Sequence, residues 1–228
     1  MRFSVLWLSV FSLTFSLWAT QTESAQPVPQ PHYGDVAQKV ARVLPSAHLM
    51  QRPLNDEISQ KAWTNLLNTF DFDHSYFLAS DIAAFTNMEF QIDDAVKTGD
   101  VSFPYEVFRV FRERIEQRYA FVTNMLAAEP VFTEDETYVW KRKDAPWPAS
   151  QAEQDELWRK RIKNEYLVQL IGRELDQSAA SNTVAAATNG AAAAAGSVTN
   201  APVLTPAENI IKRYKQFMIA IQDMDEEA

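Results

Sequence analysis

Asp71, Asp73, His74 and Asp81 fall within the single stretch Phe70 to Asp81 and offer three carboxylates and one imidazole, the donor types of a divalent-cation site. Their spacing does not complete such a site. The stretch lacks the glycine and the closing glutamate of an EF-hand loop, and one histidine beside aspartates does not define a zinc centre. The same side chains are good acceptors for turn and helix-start N–H groups, so they are assigned to capping and no metal ligand is named. His32 and His48 lie in other segments, and no His-x-x-x-His pair puts two imidazoles on one helical face.

Nucleophilic chemistry is equally poorly supplied. The chain has no cysteine, which removes thiolate catalysis, disulfides and thiolate zinc sites together. A serine nucleophile needs a neighbouring base, yet Ser80, Ser102 and Ser150 all stand where helix caps are expected, without a glycine-rich oxyanion turn beside them. No catalytic residue and no cofactor-binding residue is assigned. With 21 basic against 30 acidic residues the net charge is -9, which argues against a nucleic-acid partner. A local basic stripe, Arg109, Arg112, Arg114 and Arg118, is interleaved with Glu113 and Glu116 and is expected to be a solvated, salt-bridged helix face.

The elements that must position these residues are helical. A hydrophobic content of 46% with 12% aromatics is enough to build a core. Residues 1–19, with Arg2 ahead of an apolar run too short to span a bilayer, are expected to be a signal peptide. Residues 20–32, with Pro27, Pro29 and Pro31, are expected to be a polar tether. A short helix from Tyr33 stops at Pro45. Asn55 caps a second, with Ile58, Ala62, Leu66 and Phe70 on its buried face, which runs into a buried aromatic joint over Phe70–Asp81. Ser80 or Asp81 caps a helix that closes at Gly99, and Ser102 caps a long one carrying Phe108, Ile115, Tyr119, Val122 and Leu126.

Phe132 to Pro148 is a second irregular stretch, too long and too aromatic to hang in water, and is expected to lie across the helices. Pro146 and Pro148 fix an extended backbone around Trp147, which serves as a packing anchor or a ligand-facing ring. Ser150 and Glu153 start a helix through Leu157, Trp158, Ile162, Tyr166 and Leu170, ending near Asp176. The Ala-, Asn- and Thr-rich residues 177–204 are expected to form a flexible insert, and Thr205, Pro206 and Glu208 open a last helix that is read as cut short at 228. The fold class is all-α: a multi-helix domain over 33–176 with long aromatic and proline-rich packed loops.

Phe77-Leu78-Ala79-Ser80-Asp81, followed in order by Thr137-Tyr138, Ala145-Pro146-Trp147-Pro148, Glu153, Leu157-Trp158 and Lys212-Arg213-Tyr214-Lys215, resembles the N-terminal helical domain of the tail-specific, or carboxy-terminal processing, proteases. The resemblance covers about residues 33–225. It implies a periplasmic endopeptidase that recognises apolar C-terminal residues through a PDZ domain and cuts with a serine activated by a lysine. The PDZ domain and the catalytic pair of such proteases would follow this chain, so no catalytic position transfers to it. The implied partners are protein substrates, a lipoprotein adaptor and the family's protease core, with no small-molecule cofactor. Phe77, Tyr138, Trp140, Trp147 and Trp158 are the candidate core or interface anchors. The expected function is that of the exported, non-catalytic N-terminal portion of such a protease; the alternative is a free-standing helical protein-binding module.

Overall fold

The computed structural model describes residues 28–187 and 204–224, less 48 and 50, with the backbone alone for 180–187. The expected signal peptide, the first part of the tether and residues 188–203 of the insert lie outside the described residues. Those described form seven α-helices and no strand, the expected all-α architecture. In chain order they are α1 (Pro31–Ala47), α2 (Asp56–Phe70), α3 (Ala79–Phe85), α4 (Ile92–Thr98), α5 (Ser102–Met125), α6 (Gln151–Ala187) and α7 (Pro206–Asp223).

Two helix starts follow directly from sequence. Asn55 Oδ1 accepts the Ile58 N–H, and Asp56 and Glu57 sit against the positive end of α2. At α7 the Thr205 hydroxyl accepts the Glu208 N–H while the Glu208 carboxylate accepts the Thr205 N–H, a reciprocal box. At α6, Glu153 N–H donates to the Ser150 hydroxyl as expected, though the Glu153 carboxylate reaches back to the Ala149 N–H.

Several expectations are corrected. α1 begins at Pro31, within the stretch assigned to the tether, and passes Pro45 to end at Ala47. The cap of α3 is Leu78, whose N–H donates to Asp81 Oδ2; Ser80 is inside the helix. The acceptor at the start of α5 is Asp100, which takes the Ser102 N–H. The helix expected from Ile82 to Gly99 breaks into α3, a 3₁₀ turn at Thr86–Met88, and α4. The Trp63 indole takes the Phe85 carbonyl at 2.9 Å, so Glu89 N–H bonds Thr86 O instead. The buried Ser59 hydroxyl then accepts the Asp93 N–H and donates to Asp93 Oδ1, restarting the helix from a neighbouring element. α6 continues past Asp176 to Ala187 because alanine, the strongest helix former, needs no packing face to extend a helix already begun.

Gly99 closes α4 at φ +83°, a conformation that a side chain would strain. Its carbonyl lies 2.7 Å from where a Cβ on Gly34 would stand, so the two glycines let α1 cross the end of α4 closely. Gln38 Nε2 donates to Thr98 O and fixes the crossing.

The core has two clusters along α5. One gathers Leu67, Phe77, Phe85, Phe103, Val107, Phe111 and Ile115; the other gathers Val122, Leu126, Trp158, Ile162, Tyr166, Ile210 and Tyr214. Tyr76 packs against both. The arginine stripe of α5 is not the expected solvated face. Arg112 and Arg118 are buried, Arg118 pairs with Asp155 of α6, and Arg114 makes a bidentate pair with Asp81 of α3. Arg109 with Glu113 forms an exposed i,i+4 pair of the kind the spacing suggests. Arg114 and Arg118 border the apolar stripe, so their stems are covered and their heads reach carboxylates on neighbouring helices.

Candidate functional site

The joint between α2 and α3 is built on Asp71. Its carboxylate is 1% exposed, and its Oδ1 accepts the N–H of Ser75 at 2.8 Å. Oδ2 accepts the N–H of Phe77 at 3.0 Å, and the Tyr76 N–H is shared between the two oxygens at 3.1 Å. The Trp147 indole N–H, 76 residues away, donates to the same Oδ2 at 3.1 Å. One side chain thus satisfies three consecutive backbone donors of a buried turn and ties the second irregular stretch to it. Burial pushes the Asp71 carboxyl above its ordinary range, while the Ser75, Phe77 and Tyr76 N–H groups pull the other way.

His74 has φ 49°, a left-handed backbone that costs a non-glycine residue. The tertiary contacts hold it there. Its ring stacks on Trp147 with centroids 3.7 Å apart, and Nδ1 lies 2.5 Å from the Ala145 carbonyl, which can only accept, so the Nδ1 proton is donated there. The Ala79 N–H donates to Pro148 O and closes the contact.

α6 holds the joint from the other side. Trp158 Nε1 donates to Ser75 O at 2.8 Å, and Gln154 Nε2 donates to the carbonyls of Ser75 and Tyr76. Arg161 pairs with Asp73 at 2.9 Å, and the Ser75 hydroxyl donates to that same aspartate. The joint is therefore a clasp between the loop and α6.

Phe77 and Trp158 are fully buried, one in each core cluster. Trp147 is half-buried in the clasp, and Tyr138 is half-buried, with burial raising its hydroxyl pKa. Trp140 is 69% exposed, with Lys141 Nζ 4.8 Å from its ring centroid, and is no part of the core. The chain leaves the body after Tyr138, so Val139, Trp140 and Lys141 all face outward. Glu136 fastens the loop by pairing with Arg159 and Lys163, which hold its carboxyl down at about 2.

The arrangement orders backbone. Among the described residues no three His, Asp or Glu side chains converge as a metal cage, and Asp71 spends both oxygens on protein donors. Ser59, Asp93 and Lys97 come together, but the Ser59 hydroxyl is wholly buried and donates to Asp93, while Lys97 pairs with Asp93 and Asp94. That trio is a helix start. Gln154, Arg161 and Glu136 are the working residues that sequence did not single out, because each acts on a partner far along the chain; Asp71 is the turn acceptor the sequence suggests, with the distant Trp147 indole added.

The tail specific protease N-terminal domain family matches this chain over residues 40–227, most of its length, and the chain belongs to that family. A tail-specific protease of Haemophilus influenzae (strain ATCC 51907 / DSM 11121 / KW20 / Rd) is 27% identical over 125 residues, a match covering 54% of this chain and 18% of that relative. The chain thus covers less than a fifth of the relative's length. The matched family is the one that the joint and the Ala-Pro-Trp-Pro loop resemble, and those two stretches form the clasp.

Proposed function

We propose that this chain is the non-catalytic helical portion of an exported, periplasmic tail-specific serine protease. It supports a PDZ and Ser/Lys core and meets protein substrates or a lipoprotein adaptor. The observation that carries the non-catalytic part is that no serine among the described residues is hydrogen-bonded to a lysine or histidine. Ser59, Ser75 and Ser150 are engaged with Asp93, Asp73 and the Glu153 N–H respectively. Family membership supports the rest, and the leader-like first nineteen residues support export. No helix among the described residues is long and apolar enough to cross a membrane.

The purified chain, incubated with an unstructured polypeptide, is expected to leave it intact as followed by gel and mass spectrometry. Turnover that stays with the folded chain through successive columns and disappears on substitution of one of its serines would overturn the reading.

A further inference from the structure

From Asp135 to Arg142 the loop runs without helix, turn or bend. None of these residues has a positive φ, and a run this long with neither turn nor bend is an open, uncoiled stretch. The side chains alternate up to Tyr138: Glu136 and Tyr138 are half-buried, while Asp135, Thr137 and Val139 are exposed. This is the pattern of a strand laid across a helix, held by Glu136 to Arg159 and Lys163.

Among the described residues no hydrogen-bond partner stands against a backbone N–H or C=O between Asp135 and Lys141. A row of free main-chain donors and acceptors is what a sheet edge presents to an incoming chain. There is room beside it. A groove of about 410 Å³ runs between this segment and α6, lined by Phe132, Glu136, Tyr138, Lys163, Asn164 and Leu167.

Charge gives the occupant a direction. Among the described residues, exposed Glu134 and Asp135 at one end of the segment make no ion pair, whereas Lys141 and Lys143 at the other face the rings of Trp140 and Phe72 and no carboxylate. We infer that this segment binds an extended stretch of another polypeptide by adding it as a β-strand. The bound stretch carries basic residues opposite Glu134 and Asp135 and acidic residues opposite Lys141 and Lys143. Main-chain hydrogen bonds supply the affinity, so the site takes unfolded polypeptide of this charge order rather than one folded surface.

The test uses the purified chain and a blocked peptide, acetyl-Glu-Asp-Thr-Val-Thr-Val-Thr-Lys-Arg-amide, whose charges match in the antiparallel sense. Saturable binding by calorimetry is expected, with amide shifts confined to about residues 132–142. The same peptide N-methylated at alternate residues is expected to bind at least about tenfold more weakly, since two lost hydrogen bonds are worth that much. Asn164→Trp, an exposed substitution that fills the groove, is expected to weaken the unmodified peptide similarly while leaving the circular dichroism unchanged. Absence of saturable binding, or binding indifferent to N-methylation or to the filled groove, overturns the inference. Either failure leaves the non-catalytic reading standing, and proteolysis by the chain alone would leave this site standing.

Discussion

Asp71→Ala is expected to destabilise the protein by about 3–5 kcal/mol, read as a lower urea midpoint with an unchanged slope. The substitution strands the N–H groups of Ser75, Tyr76 and Phe77 and the Trp147 indole, in a turn where Ser75 and Phe77 are buried. Each unsatisfied buried donor costs on the order of 1–3 kcal/mol, and the total is capped because the turn can partly open to water. Opening also releases Trp147 from His74, and with that contact goes the support for His74's left-handed backbone. Asp71→Asn keeps one acceptor oxygen and is expected to lose roughly half as much. A loss below about 1 kcal/mol for the alanine variant would mean that the joint is held by its aromatic packing and that the carboxylate is incidental.

Trp158→Ala is the second large effect, also about 3–5 kcal/mol, and its mechanism is a cavity. The indole is 0% exposed and lies between Tyr76, at 5.2 Å edge-on, and Tyr214, at 5.6 Å. Arg161 stands over its ring at 5.0 Å, an added cation–π contact that no small side chain replaces. The lost N–H is the smaller part, because Gln154 still donates to Ser75 O. Trp158→Phe is therefore expected to cost only about 1–2 kcal/mol. Against total stabilities of about 5–15 kcal/mol for single domains, the alanine variant should be partly unfolded at moderate urea. An unchanged midpoint would remove Trp158 from the centre of the second cluster. Asp71 and Trp158 meet through Ser75, one at its N–H and the other at its carbonyl, so their effects should couple rather than add.

The features read correctly from sequence are those whose cause is local. Asn55 and Thr205 cap from within their own first turn, and Gly99 ends α4 by its own backbone freedom. The features missed have their cause elsewhere in the chain. Trp63 breaks the helix after Phe85 from 22 residues away, and Ser59 restarts it at Asp93 from 34 away. Helical spacing pairs the arginines of α5 with their own glutamates, whereas Arg114 and Arg118 find Asp81 and Asp155 on other helices.

At the candidate site the two irregular stretches stood out by composition, yet nothing local said that they touch. Asp71 reads as one more turn aspartate until Trp147 is brought beside it, and His74 reads as a lone histidine until its ring lies on that indole. Trp140 shows the converse. Its aromatic character reads as a core or interface anchor, and exposure removes only the core reading: burial depends on what the backbone passes over, and the loop has left α6 by that residue.

The most direct test of the claim that this domain serves a tail-specific protease is to recover it from the cells that make it. Antibody raised against residues 33–176 would be used to isolate the protein from the exported fraction after mild cross-linking, and the recovered material would be identified by mass spectrometry. The account predicts peptides of a PDZ-bearing Ser/Lys protease core, in the same polypeptide or in a stoichiometric complex with it. Recovery of this helical chain with no protease core, as a stable species of its own size, would contradict it and make the chain an independent binding module.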